Sequence, residues 1–161
     1  MKIRISAIAL CFAAVLFADG GAVEFRKQDG PLLITVFGAP SPLRAGVGDL
    51  SVLVQDTIQT RIVLDAEITL TLSKPGEKEI VVPATHEQAT NKLLYAAYPA
   101  VDQPGDWRLN VQVRSQNTVA SADGVITVLP RQPSIITYCL YFALPPLAIL
   151  LFLLNQYLKV G

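Results

Sequence analysis

From Trp107 to Arg114 every second residue is apolar: Trp107, Leu109, Val111 and Val113 alternate with Arg108, Asn110, Gln112 and Arg114. A strand points successive side chains to opposite faces, so this spacing sends one face to a core and the other to water. A helix cannot sort the same residues into two faces. The period recurs where Ile68, Leu70 and Leu72 alternate with Glu67, Thr69 and Thr71. Helical periodicity does not appear in the middle of the chain, which reads as all-β. Looser strand patterns cover residues 32–37, 49–55, 78–82, 93–98 and 119–129.

Turn chemistry separates these runs. Gly38-Ala39-Pro40-Ser41-Pro42 breaks the first pair, Ser73-Lys74-Pro75-Gly76-Glu77 reads as a tight hairpin connection, and Asp102-Gln103-Pro104-Gly105-Asp106 ends a loop just before Trp107. About seven short strands in residues 23–130 predict an immunoglobulin-like β-sandwich. Trp107, the sole tryptophan, is expected between the sheets, the competing reading being a binding-site tryptophan.

The two ends are unlike this middle. Residues 1–22 have a positive start in Lys2 and Arg4, an apolar run over 5–17, and then small residues, the pattern of a secretory signal peptide. The preferred cleavage follows Ala22, with Gly20 and Ala18 as alternatives. The run of 13 residues reaches about 20 Å as a helix, short of a hydrocarbon core of about 30 Å. Residues 134–154 contain no Asp, Glu, Lys, Arg or His and reach about 31 Å as a helix, enough to span. Tyr138, Tyr141 and Tyr157, with Arg131 and Lys159 outside them, form the belt expected at the two interfaces. Pro145 and Pro146 fall mid-span and predict a kink. Residues 131–133 are then a linker and 155–161 a short cytoplasmic tail. The order of segments predicts a single-pass protein of the inner (plasma) membrane with its N-terminal domain outside the cytoplasm.

Charge and cysteine usage narrow the function classes. The middle segment has nine Lys and Arg against twelve Asp and Glu, a weak acidic balance that gives no footprint for nucleic acid. Cys11 and Cys139 both lie in the apolar ends, so the folded segment has neither a disulfide framework nor a thiolate metal site. Exported domains without cysteine are usual in bacteria.

Several of these residues resemble a known family. Leu33-Ile34-Thr35-Val36 followed by Pro42-Leu43-Arg44-Ala45-Gly46, and the strand Asp49-Leu50-Ser51-Val52-Leu53-Val54-Gln55-Asp56, resemble the opening of the YtkA-like domain, itself similar to the FixH-type accessory domain. Tyr95 to Tyr98 and Pro104-Gly105-Asp106-Trp107-Arg108-Leu109-Asn110-Val111 resemble its closing pattern of an aromatic strand, a Gly-x-Trp corner and a valine-rich strand. The similarity covers most of residues 32–128. It implies an immunoglobulin-like extracytoplasmic module, sometimes linked to metal handling or oxidase assembly. One departure is plain: a FixH-type protein carries its anchor before the domain, and this chain carries it after.

Chemistry is sparse. His86, the only histidine, has Glu87 beside it and could add a ligand to a shared site, but a transition-metal centre needs several such ligands and a catalytic base needs a nucleophile or orienting partner. The plainer reading is an exposed loop residue. Met1 is the only methionine, which leaves no thioether cluster for Cu(I). Asp65 and Glu67 share one face of a strand, and Asp102 and Asp106 flank a turn, yet neither pair has further ligands in register for acid–base work or Ca²⁺. No nucleophile elbow, phosphate loop or dinucleotide fingerprint occurs. The expectation is a protein that is not an enzyme, without catalytic, metal-binding or cofactor-binding residues and without a cofactor. Its expected partners are the bilayer and another membrane protein. The alternative is a metal-delivery or oxidase-assembly accessory.

Overall fold

In the computed structural model the described residues, 21–115, 118–133 and 135–160, form twelve strands and one helix. In order they are β1 (Ala22–Asp29), β2 (Leu32–Ala39), β3 (Leu43–Arg44), β4 (Gly46–Val47), β5 (Asp49–Asp56), β6 (Arg61–Ile62), β7 (Ala66–Ser73), β8 (Ile80–Ala84), β9 (Tyr95–Ala97), β10 (Ala100–Val101), β11 (Gly105–Ser115), β12 (Thr118–Leu129) and α1 (Ile135–Val160). The protein is thus mostly β-sheet with one C-terminal apolar helix. The proposed signal peptide, apart from Gly21 and Ala22, lies outside the described residues.

Two five-stranded sheets carry the fold. One runs β1-β2-β5-β6 with β9 also on β5, the other runs β3-β12-β11-β7-β8, and β4 pairs with β10 at one end. The two clean alternations behave as read: Ile68, Leu70, Leu72, Trp107, Leu109, Val111 and Val113 are all buried. They meet Ile34, Val36, Leu50, Val52 and Val54 of the first sheet in one apolar cluster. Each such side chain contributes roughly 1.5–3 kcal/mol by leaving water. The hairpin between β7 and β8 turns at Pro75-Gly76, where Gly76 has φ 83° and the Glu77 amide donates to the Lys74 carbonyl over 3.1 Å. Proline then glycine in that geometry is a type II turn.

The first sheet is covered on both faces. Residues 86–94 fold over its outer side, where Ala89, Leu94 and Ala96 pack against Phe37 and Leu53. That double burial explains why β2 and β5 are apolar nearly throughout rather than alternating.

The strand count differs from the expected seven. β1 was not anticipated because it carries Glu24, Arg26, Lys27 and Asp29 and exposes most of its residues, as an edge strand does to discourage pairing with other chains. It pairs with β2 and reaches across to the second sheet. There Phe25 lies over Gly124, and Asp29 Oδ2 accepts the Ser121 amide at 2.8 Å. The two- and three-residue strands are too short to show a period.

Register fixes where the chain enters and leaves. Ala22 sits opposite Gly38, and a short segment after Gly38 leads to Leu43, which lies beside Val128 in a parallel pair. The start of β1 and the end of β12 therefore share one end of the domain. The 56–60 turn, with Ile58, lies at the other end, because Asp56 pairs with Leu32. Beyond β12 the chain stays attached: the Ala45 amide donates to the Leu129 carbonyl at 2.8 Å, Arg44 Nη1 to the Pro130 carbonyl at 3.3 Å, and Arg131 pairs with Asp102 at 3.8 Å.

The helix α1 runs unbroken through Pro145 and Pro146 to Val160, so residues 155–160 continue it. Neither proline can donate to the carbonyl four residues earlier, on Tyr141 and Phe142. Its stretch Tyr141–Lys159 has a mean hydropathy of 1.5 and is unburied. This one helix is long and apolar enough to cross a membrane.

Candidate functional site

The residues singled out for chemistry gather in part. The start of β7 and the end of β8 border an open groove lined by Glu67, Thr69, Pro83, His86, Glu87 and Tyr95. Asp65 lies close enough to raise the Tyr95 phenol electrostatically. Asp102 and Asp106 sit at the other end and do not join each other: Asp102 meets Arg131, and Asp106 accepts the Thr127 hydroxyl at 2.8 Å. Among the described residues no group of three or more His, Cys, Asp and Glu could hold a metal ion.

His86 is not the free surface residue that a polar loop implies. It lies in the turn after β8 but is half-buried, because its ring is wedged between backbone segments. Nδ1 is 2.8 Å from the Leu94 carbonyl and Nε2 is 3.1 Å from the Leu64 carbonyl. Both partners are acceptors, so a neutral ring donates to one of them and an imidazolium to both. The ring also stacks on Tyr95, with centroids 3.8 Å apart and planes at 36°. Each ring nitrogen lies against a carbonyl oxygen. A metal or a substrate proton would have to displace a carbonyl first.

Tyr95 anchors this corner. It is 2% exposed, its hydroxyl donates to the Val63 carbonyl at 3.1 Å, and it accepts the Ala66 amide at 3.0 Å. Burial pushes the phenol above its ordinary pKa, the Ala66 bond pulls partly back, and Asp65 adds to the rise. It therefore stays protonated and acts as a strut. Lys92 closes the turn from outside, its ammonium donating to the carbonyls of His86 at 2.9 Å and Ala89 at 2.8 Å. The histidine, the tyrosine and the lysine thus fasten residues 86–94 over the first sheet.

Beneath that segment Asp49 and Ser51 face a polar cavity of about 40 Å³ with Asn91 and Tyr98. Burial raises the Asp49 carboxyl, and the Ser51 hydroxyl partly offsets this. At the entry end, Glu24 Oε1 is buried without a hydrogen-bond partner, and burial likewise raises that carboxyl against a weaker pull from Ser41. Sequence reasoning missed both acids. Glu24 is the extra residue of a bulge in β1 between Val23 and Phe25, a feature without a sequence signature here. Trp107 lies where it was expected, 2% exposed in the inter-sheet core, with Nε1 donating to the Gln103 carbonyl at 2.9 Å.

No protein-family profile matches the chain, and no curated protein is similar to it at a significant level.

Proposed function

We propose that the chain is exported by a cleaved N-terminal signal, adopts an immunoglobulin-like sandwich outside the cytoplasm, and is held by α1 in the inner membrane as a non-enzymatic interaction module. It would be an accessory of a membrane protein complex. The observation that carries this reading is α1 itself: its described side chains from Tyr141 onward are exposed to the surroundings, and neither apolar cluster of the domain uses it. An apolar helix with no protein partner has lipid as its natural solvent. Confinement to a thin layer raises the effective concentration toward another membrane protein. The engagement of His86 with two carbonyls supports a structural rather than a chemical role for that residue. The likeness to YtkA-like and FixH-type domains supports the sandwich and an extracytoplasmic setting. It also supplies the alternative of a metal-delivery or oxidase-assembly accessory, although it carries no residue-level metal site.

Two measurements test the reading. A reporter fused after Gly161 should be active only on the cytoplasmic side, and the chain should resist carbonate extraction from membranes. Purification after gentle solubilisation should recover a membrane-protein partner that is lost when the domain is deleted. External display of the reporter, or recovery of the chain alone, would refute topology or role respectively.

A further inference from the structure

Between the last residue of β12 and the first of α1 stand only five residues, Pro130 to Ser134. Two of these are held by the domain, Pro130 through Arg44 and Arg131 through Asp102. The steps from Arg131 to Ile135 reach at most about 14 Å when extended. If α1 is the anchor, as proposed above, the end of the domain where β12 stops lies within reach of the headgroup layer, which is about 5–8 Å deep on each side of the hydrocarbon.

The composition of that end suits the position. Val47 stands on the small β4–β10 sheet and is 71% exposed. It follows Gly46, whose side-chain position lies 3.8 Å from Arg131 Nη2. Four exposed prolines, Pro40, Pro42, Pro75 and Pro104, share this end, as the register of β2 with β5 and of β11 with β12 and β7 requires. Proline has no amide hydrogen, so these turns bring fewer unpaired donors toward a layer poor in water. The cations at this end, Arg44, Lys74, Lys78 and Arg131, are matched by the acids Asp49, Glu77, Glu79, Asp102 and Asp106, Arg131 pairing directly with Asp102. Selective attraction to anionic lipid is therefore weak. The opposite end, around Asp56, Thr57 and Gln59, also exposes Ile58, Leu64 and Val119, so the short connection to α1, and not a difference in apolarity, selects which end lies near the bilayer.

We infer that the end of the domain bearing Val47 rests on the outer leaflet, with Val47 seated among the headgroups and acyl-chain ends of ordinary zwitterionic lipid. The domain is thereby held against the membrane rather than swinging on a tether.

The test uses the processed chain, residues 23–161, with Cys139 replaced by alanine, reconstituted into vesicles of phosphatidylcholine alone. A nitroxide is placed at Val47→Cys or, as the control, at Ile58→Cys. Both positions are exposed, so neither label disturbs packing. Oxygen, which partitions into lipid, and a water-soluble nickel chelate are the two relaxing agents. The ratio of oxygen to nickel accessibility should be at least about threefold higher at position 47 than at 58 in vesicles. In detergent-free soluble domain the two sites should be equal. Equal ratios in vesicles, protection of 47 from both agents, or a difference that persists without lipid each overturn the inference. Carbonate extraction of the same vesicles separates this from the anchor: a chain that washes off has failed as a membrane protein, whereas one that stays while 47 remains wet has failed only here.

Discussion

Gly124 stands in the middle of β12 opposite Leu109, and its missing side chain is occupied by Phe25. A Cβ built there would lie 2.3 Å from Phe25 Cδ1 and 2.6 Å from Cγ. Since carbon atoms pack at about 3.5–4.0 Å, Gly124→Ala forces the ring to move by about 1–1.5 Å. Either the strained ring stays, at the roughly 1–3 kcal/mol typical of overpacking, or it swings out. In the second case it forfeits part of the about 1.5–3 kcal/mol that burying a phenylalanine contributes. Both routes give about 1–3 kcal/mol, a loss of roughly 5–15 °C in Tm for a domain of this size. The assay is a double-mutant cycle with Phe25→Ala, followed by thermal denaturation of the excised domain, residues 21–133. With the ring gone, the alanine at 124 should cost less than about 0.5 kcal/mol, leaving a coupling of about 1–2 kcal/mol. Equal costs in the two backgrounds would show that Phe25 does not pack on Gly124, and the account of how β1 joins the second sheet would be wrong.

Three further outcomes follow from the corner around Tyr95 and from the buried acids. Tyr95→Phe strands the Val63 carbonyl and the Ala66 amide and should destabilise the domain by about 1–3 kcal/mol, measured by urea unfolding. His86→Ala should speed amide exchange across residues 86–94 by about tenfold while Val111 is unchanged; uniform acceleration of both would mean that the segment is not fastened locally. Glu24 has its folded pKa raised from 4.5 by burial, so its linkage favours the folded state most below that value and is lost as pH rises through the folded pKa. Glu24→Gln should accordingly raise Tm at pH 7 and lose that advantage below the unfolded value. An equal gain at both pH values would point to packing instead of charge.

How much of this was legible in the sequence depended on how many faces a strand buries. β7 and β11 have one wet face and one dry one, so their period could be read directly. β2 and β5 are covered twice, and their apolar runs concealed which side faced the main core. The short strands β3, β4, β6 and β10 are set by tertiary pairing, with Leu43 held beside Val128 and Val47 opposite Ala100. Four residues or fewer carry no usable period. At the His86 corner, the lone histidine was conspicuous but its partners were not. Both are backbone carbonyls, which every residue supplies, so sequence could not indicate that Leu64 and Leu94 would converge on the ring. Gly124 did carry a signal: a glycine within a strand pattern marks a close approach, here by Phe25 from a strand that sequence alone did not reveal.

That unanticipated strand decides more than packing. In an antiparallel arrangement each full traverse carries the chain from one end of the domain to the other. Seven traverses would place entry and exit at opposite ends. β1 makes the number even: β1, β5, β8 and β11 run away from the end where Ala22 meets Gly38, and β2, β7, β9 and β12 run back to it. The charged residues that hid β1 thus belong to the element that brings the start and the finish of the domain together. Without it, the entry and exit of the domain would stand apart by the length of β2, about 27 Å. With it, residue 21 and Leu129 leave from the same end, and in the membrane-anchored arrangement proposed above the opposite loops around Ile58 face away from the bilayer. A partner reached through the sandwich would therefore meet its flanks or its far end.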